Sequence, residues 1–339
     1  MFLTVFSLIV RRFLIALPIL VIVSALLFAA LRLIPVDPAA MSMPATATNE
    51  EIEAKRIEMG LDKPLPVQYA YWLSNIAAGD FGDSIHYRRP VIGLIGAALP
   101  QTIELAGLAM IIASIFGLAG GLLMFYFRGR VMASAIDFGS IVLLSLPDFL
   151  WGLFFILVFG VVLDVLPFTG RLSSGIEQPV VTGFLLLDAL IRGEPYVAWD
   201  ALRHMLLPAF ALGLAFSPTI MRVLNSSLLD VYQEDFIQQA RLRGVSERRI
   251  LTRHALKNAV LPTLTLMGVQ FGFLFGGTLL IEVIYSYPGI GNLMIGAVRD
   301  ADLPMIQILG LTYCVAVLLI SAIVDAMTLI LNPKLRTPR

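Results

Sequence analysis

Four carboxylates fall inside long apolar runs of this sequence: Asp137, Asp148, Glu282 and Asp325. A charge at membrane depth is costly, and such residues commonly carry function. Asp148 follows Pro147 near the middle of its run, so this pair is the candidate for lining a water-filled cavity. The alternative is a local hydrogen bond to a broken helical turn. Asp137 and Asp325 lie near run edges, where pairing with Arg130 or Lys334 would account for them, and Glu282 near its run's far end marks an interface. His86, His204 and His254 sit in separate segments and Cys314 is the single cysteine, so neither a metal site nor an intrachain disulfide is expected. No Ser–His–acid set shares one depth, which removes an intramembrane hydrolase. The phosphate-cradling pattern Gly-x-x-x-x-Gly-Lys-Ser/Thr is absent, so this chain is not expected to bind ATP or any other cofactor.

The most patterned polar stretch runs from Asp230 to Leu251. Apolar residues at Phe236, Ile237, Ala240 and Leu242, then Val245, Ile250 and Leu251, predict two short amphipathic helices. Gly244 permits the turn between them through a positive φ, and Ser246 is placed to cap the second. Pro262 fits the first turn of the following span or a kink at its edge. Two readings remain open: a surface helix with arginines reaching lipid phosphate, or a rigid knob that docks on a partner.

The elements that position these residues follow from the bulk of the chain. Of 339 residues, 58% are hydrophobic and 14% charged, with mean hydropathy +0.87. A soluble domain carries about a quarter charged residues. The apolar residues gather in blocks near the ~20 residues that cross a bilayer as helix, and helices are required because lipid cannot satisfy open backbone groups. Six spans follow: Ile9–Leu33, Leu99–Phe127, Ala133–Leu163 broken at Pro147–Asp148, Met205–Met221, Ala259–Ile281 and Leu303–Leu331. Val180–Ile191 is too short to span and reads as interfacial or re-entrant. The expected class is an all-α polytopic membrane protein. Residues 1–98 form the first helix with a long polar loop, and 99–339 a five-helix core with the patterned segment at 225–260. Net charge is zero, giving no support for a nucleic-acid partner. With the N-terminus inside, fourteen of the 24 basic residues face inward, so both termini are expected in the cytoplasm. Gly268, Gly272 and Gly276 recur every fourth residue in the fifth span, predicting a helix-packing seam or ordinary glycine enrichment.

Ala240-Arg-Leu-Arg-Gly244, with Pro262 closing the segment, resembles the cytoplasmic loop of permease subunits in binding-protein-dependent ABC importers. Of the family's opening Glu-Ala-Ala, aligned with Gln238, Gln239 and Ala240, only the last alanine is kept. Leu31–Pro38, Met59–Tyr69 with Gly79-Asp-Phe-Gly82, Tyr287-Pro-Gly-Ile-Gly291 with Arg299-Asp300, and Asn332–Arg336 resemble the peptide and nickel branch, and the long first loop its first permease. The resemblance implies a MetI-like core in a bacterial inner membrane. It implies a second permease, two ATPase subunits carrying ATP and Mg, and an extracytoplasmic solute-binding protein. Gln238, Gln239, Ala240, Gly244, Val245, Ser246, Ile250 and Pro262 would form the ATPase-coupling segment. The solute would be a short peptide, with nickel chelates, glutathione or oligosaccharides as alternatives. An ion-coupled carrier is the rival class, since such carriers also break helices near the midplane.

Overall fold

A computed structural model describes residues 2–33, 37–44, 46–176 and 178–331, with side chains between 14 and 328. Asn332–Arg336, Lys334 and the arginines at 11 and 12 therefore lie outside the described residues or side chains. Long apolar runs have become helices throughout: α1 (Phe2–Arg32), α5 (Val91–Tyr126), α9 (Pro195–Val231), α12 (Leu256–Ile284) and α14 (Leu303–Leu331). The third run is two helices, α6 (Val131–Ser145) and α7 (Asp148–Phe155, continued as π-helix over Ile156–Val162), bent by 98° at the break. The short elements are α2 (Pro38–Ser42), α3 (Asn49–Glu58), α4 (Leu65–Ala77), α8 (Leu185–Ile191), α10 (Asp235–Leu242), α11 (Glu247–Arg249) and α13 (Ile290–Arg299). Among the described residues, five helices are long and apolar enough to cross a membrane, or six with the bent pair as one span.

Several expected boundaries move, because helical hydrogen bonding continues past the ends of the apolar runs. The expected span 205–221 is the middle of the 37-residue α9. The second span starts at Val91, so a domain boundary at 98 cuts through α5. Pro262 is internal to α12, because a π-helical turn over Ile250–Ala255 joins α11 to α12 without a break.

The hairpin Arg128–Arg130 defines one end of the bundle, here the basic end. Phe125 meets Tyr232 there, ring centroids 4.6 Å apart, so α5 and α9 run parallel. The opposite, loop end holds the long connection between α1 and α5. α1 starts and α14 finishes at the basic end, because Leu27 near the end of α1 lies against Gly310 near the start of α14.

α5 and α9 form the central pair, and their glycines permit the approach. A Cβ on Gly121 would lie 2.7 Å from the Met221 carbonyl, and one on Gly213 2.7 Å from the Ala109 carbonyl. Backbone cannot yield as a side-chain tip can. The anticipated seam on α12 is only partly a seam within this chain: Gly268 abuts Val324 of α14, Gly272 has ordinary contact with Val317, and Gly276 faces open space. Gly121→Val should therefore destabilise the purified chain by about 1–3 kcal/mol, read as a lower denaturation midpoint in detergent. Gly276→Val should leave that midpoint unchanged.

Candidate functional site

At the basic end the patterned segment is a compact knob. Ile237 and Ala240 of α10, Ile250 and Ala255 of the π-helical turn, and Ala259 pack with Phe125, Leu224 and Leu228 into a second buried cluster, separate from the main core. α10 stops in a Schellman turn: Val245 N–H donates to Ala240 O (3.1 Å) and Gly244 N–H to Arg241 O (2.9 Å). Gly244 has φ +72°, the left-handed conformation its sequence position predicts. Arg128 stacks on the rings of Phe125 (4.2 Å) and Tyr232 (5.2 Å), and Arg241 lies over Tyr232 (5.5 Å). Arg241 Nε donates to Glu247 Oε1 at 2.6 Å, and this bond raises the guanidinium above its ordinary value. The α5–α6 hairpin, α9 and α10 are thus tied together at one aromatic ring.

The eight residues singled out in this segment divide by burial. Ala240 and Ile250 point into the knob's own cluster, so they hold its shape and present nothing outward. Gln238, Gln239, Gly244, Ser246 and Pro262 are exposed and Val245 half-buried. Ser246 occupies the N-cap position of α11, yet its side chain makes no capping bond. Leu242, not among the eight, is 88% exposed at the last position of α10, and Phe236 of the same helix is also exposed. An apolar tip on a rigid polar knob was already present in the sequence, hidden because Leu242 also fits an amphipathic pattern.

The broken third span places Asp148 at the first residue of α7, its Oδ1 accepting Phe149 N–H at 2.8 Å. That is the local bond weighed as the alternative to cavity lining, and it suits a carboxylate at a helix N-terminus. Asp148 is half-buried facing α12 at Gly277, while Pro147 is exposed. Asp137 does not pair with Arg130, about two helical turns away; it faces Arg222 of α9 at 3.5 Å, because α6 packs against α9.

Glu282 is the carboxylate that sequence reasoning underrated. It is wholly buried, and its carboxylate joins three elements. Thr102 of α5 donates to Oε1 at 2.7 Å, while Gly291 and Asn292 N–H donate to Oε2 at 2.7 and 3.2 Å. Thr102 Oγ1 in turn accepts Ile290 N–H at 2.9 Å. A Cβ on Gly289 or Gly291 would overlap this carboxylate. The glycines of Tyr287-Pro-Gly-Ile-Gly291 are the mark it leaves in sequence.

Other carboxylates at the loop end act alike. Glu104 of α5 accepts from Arg171 (2.6 Å) and from the Leu185 and Leu186 N–H groups that open α8. Asp188 gathers Val181, Thr182 and Gly183 N–H. Burial alone would raise its pKa, but these bonds outweigh burial and hold it below the ordinary carboxylate value. Asp302 accepts from the Ser84 hydroxyl and from His86 N–H, docking the connection before α5 onto the start of α14. The stretch 180–191 is thereby a short helix strapped against α9. Among the described residues no cluster of His, Cys, Asp and Glu could hold a metal.

Residues 113–337 match the family described as binding-protein-dependent transport system inner membrane component, and residues 5–106 match its N-terminal counterpart. The chain belongs to this family. It is a multi-pass permease subunit of the inner membrane rather than an enzyme. The permease is 37% identical to the di/tripeptide transport system permease protein DppB of Pseudomonas aeruginosa, over 98% of this chain and 99% of that one. It is 34% identical to the dipeptide transport system permease protein DppB of Escherichia coli K12, covering 97% and 98%. The glutathione transport system permease protein GsiC of the same strain is also 34% identical, again covering 97% and 98%. Among solved structures, an inward-facing MetNI methionine ABC transporter chain aligns with TM-score 0.54 and 15% identity, over 72% of this chain and 98% of that one. That likeness shows the shared fold of the aligned helical bundle.

In this permease, Glu282→Ala would strand three buried donors, at about 3 kcal/mol in total. Glu282→Gln retains an acceptor and should fall between. Denaturation midpoints and hydrogen exchange at the Gly291 and Asn292 amides should rank wild type above Gln above Ala. Equal protection in all three would show that the carboxylate is not the anchor of α13.

Proposed function

We propose that this chain is the first permease of a peptide importer, forming half of the path by which short peptides cross the inner membrane. Its relatives include permeases named for dipeptides, di/tripeptides and glutathione, itself a tripeptide, each matched over nearly the full length. That end-to-end match is the observation that carries the substrate class. In this reading a second, similar permease completes the pathway, two ATPase subunits supply ATP and Mg, and a binding protein delivers the solute. The basic end then faces the cytoplasm with both termini, and the loop end faces the binding protein. The residues before Val91 supply the first helix and the docking loop, and α5 onward the pathway with its coupling segment.

The knob of α10 and α11 supports the coupling role. Force applied at its tip passes through its own buried cluster into α9 and α12 at once, because Leu228 and Ala259 share that cluster. The π-helical turn at Ile250–Ala255 gives α12 a site where hydrogen-bond register can change. Gln238, Gln239, Gly244, Val245 and Ser246 with Leu242 would face the ATPase, while Ala240 and Ile250 hold the knob rigid. Asp148 and Pro147 would line the path at the break in the third span, opposite Gly277.

Leu242→Asp should leave the spans inserted and lower the ATPase that co-purifies per permease by about tenfold, the loss expected when a buried apolar anchor is exchanged for a charge. Gly244→Val adds about 1–2 kcal/mol of backbone strain at a positive φ, although no atom of this chain stands in its way. It should reduce peptide moved per ATP hydrolysed in reconstituted vesicles more than Gly244→Ala does. Wild-type assembly and coupling in both the Leu242 and Gly244 variants would return this segment to the lipid surface.

A further inference from the structure

At the loop end a cleft of about 390 Å³ opens between the end of α1, α4 and the start of α14. It falls within the range of small-molecule sites. Its walls include Phe28, Trp72 and Phe81. Two cations line it. Arg32 lies over the Phe28 ring at 5.1 Å and Lys63 over the Tyr71 ring at 4.3 Å. Neither has a carboxylate partner among the described residues, and Arg32 Nε is buried without any acceptor. The acids in the same cleft are already engaged, Glu58 with Lys55 at 2.9 Å and Asp80 with Gly82 N–H at 2.9 Å.

Unpaired amides complete the lining. Gln307 of α14 is only 6% exposed, lines the cleft and makes no hydrogen bond to the protein. Gln68 spends its Nε2 on the Leu61 and Lys63 carbonyls, which fixes the amide orientation, and its Oε1 is left buried and unpaired. Arg32 Nε as a buried donor and Gln68 Oε1 as a buried acceptor, on residues that line the same cleft, are expensive to leave open.

We propose that this cleft is a binding site for a free, carboxylate-bearing solute of dipeptide size. The carboxylate sits between Arg32 and Lys63, a peptide N–H donates to Gln68 Oε1, Gln307 takes a remaining polar group, and an apolar side chain rests among the aromatic walls. The chemistry required is one oxyanion, one N–H donor and one apolar group within a few ångströms, which a short peptide's C-terminal half supplies. The inference rests on the peptide reading above for the identity of the solute, not for the geometry of the site.

The test uses the assembled transporter in nanodiscs without binding protein, titrated calorimetrically with glycyl-phenylalanine and with its C-terminal amide. The acid should bind at least about tenfold more tightly than the amide, since a charge-assisted hydrogen bond contributes about 1.5–3 kcal/mol. Arg32→Gln should abolish the difference, and the exposed Lys63→Gln, which leaves the fold untouched, should cut it severalfold. Equal binding of acid and amide, or binding unchanged in both variants, would overturn the site. Wild-type peptide binding in variants that lose affinity for the binding protein would also overturn it, and would make the cleft a protein-docking surface. Delivery of the same dipeptide by the binding protein separates the two proposals. Transport without carboxylate-dependent binding sinks only the cleft. Binding as described, with no peptide transported, sinks only the peptide reading.

Discussion

Hydrocarbon offers no partner to a backbone N–H or C=O, and the architecture is organised around that constraint. Long stretches meet it by staying helical. The structure departs from simple helices where a carboxylate or a side-chain carbonyl can take over the freed groups. Glu282 accepts the first amides of α13, Glu104 those of α8, and Asp148 the first amide after the break in the third span. These acids are not spread evenly. Glu104 and Glu282 lie near the loop end, where α8, α13 and the connection before α5 must be held against the bundle without spanning anything.

The two ends therefore differ in how they are built. The loop end is fastened by polar bonds, each with defined geometry and several donors, so its elements hold fixed positions relative to α5 and α12. The basic end is fastened by an apolar cluster around Ile237 and Ile250, with one aromatic ring clamped by Arg128 and Arg241. Apolar packing of this kind tolerates small sliding, and the adjoining π-helical turn can change register without losing all its hydrogen bonds.

Between the ends, the parallel pair of α5 and α9 forms the rigid middle. Gly121 and Gly213 bring backbone against backbone, an approach that replaces a hydrophobic driving force where the solvent is lipid. α12 lies alongside with Gly276 uncovered, and α14 then α1 pack outside it. An exposed small-residue face on a helix of a half-transporter is consistent with a pathway completed by another chain.

Much was readable in the residues alone. Six spans, the break at Pro147–Asp148, the positive φ at Gly244 and the knob's two short helices follow from local rules, because periodicity, proline chemistry and left-handed turns depend on neighbours within a few positions. Resemblance in motif order gave the family. What sequence could not settle was which residues meet across the fold. Glu282 looked like an interface marker, yet its burial depends on Thr102, 180 residues earlier. Asp137 found Arg222 and not Arg130, nearer in sequence, because α6 packs against α9. The regular glycine spacing on α12 pointed to a seam, while irregularly spaced glycines bring backbone against backbone between α5 and α9. Ala240 and Ile250 read as contact residues and proved to be core. Local conformation is decided by a side chain and its immediate neighbours, so the sequence determines it. Partner choice and burial are decided by packing between segments far apart in the chain, and only the tertiary structure contains that.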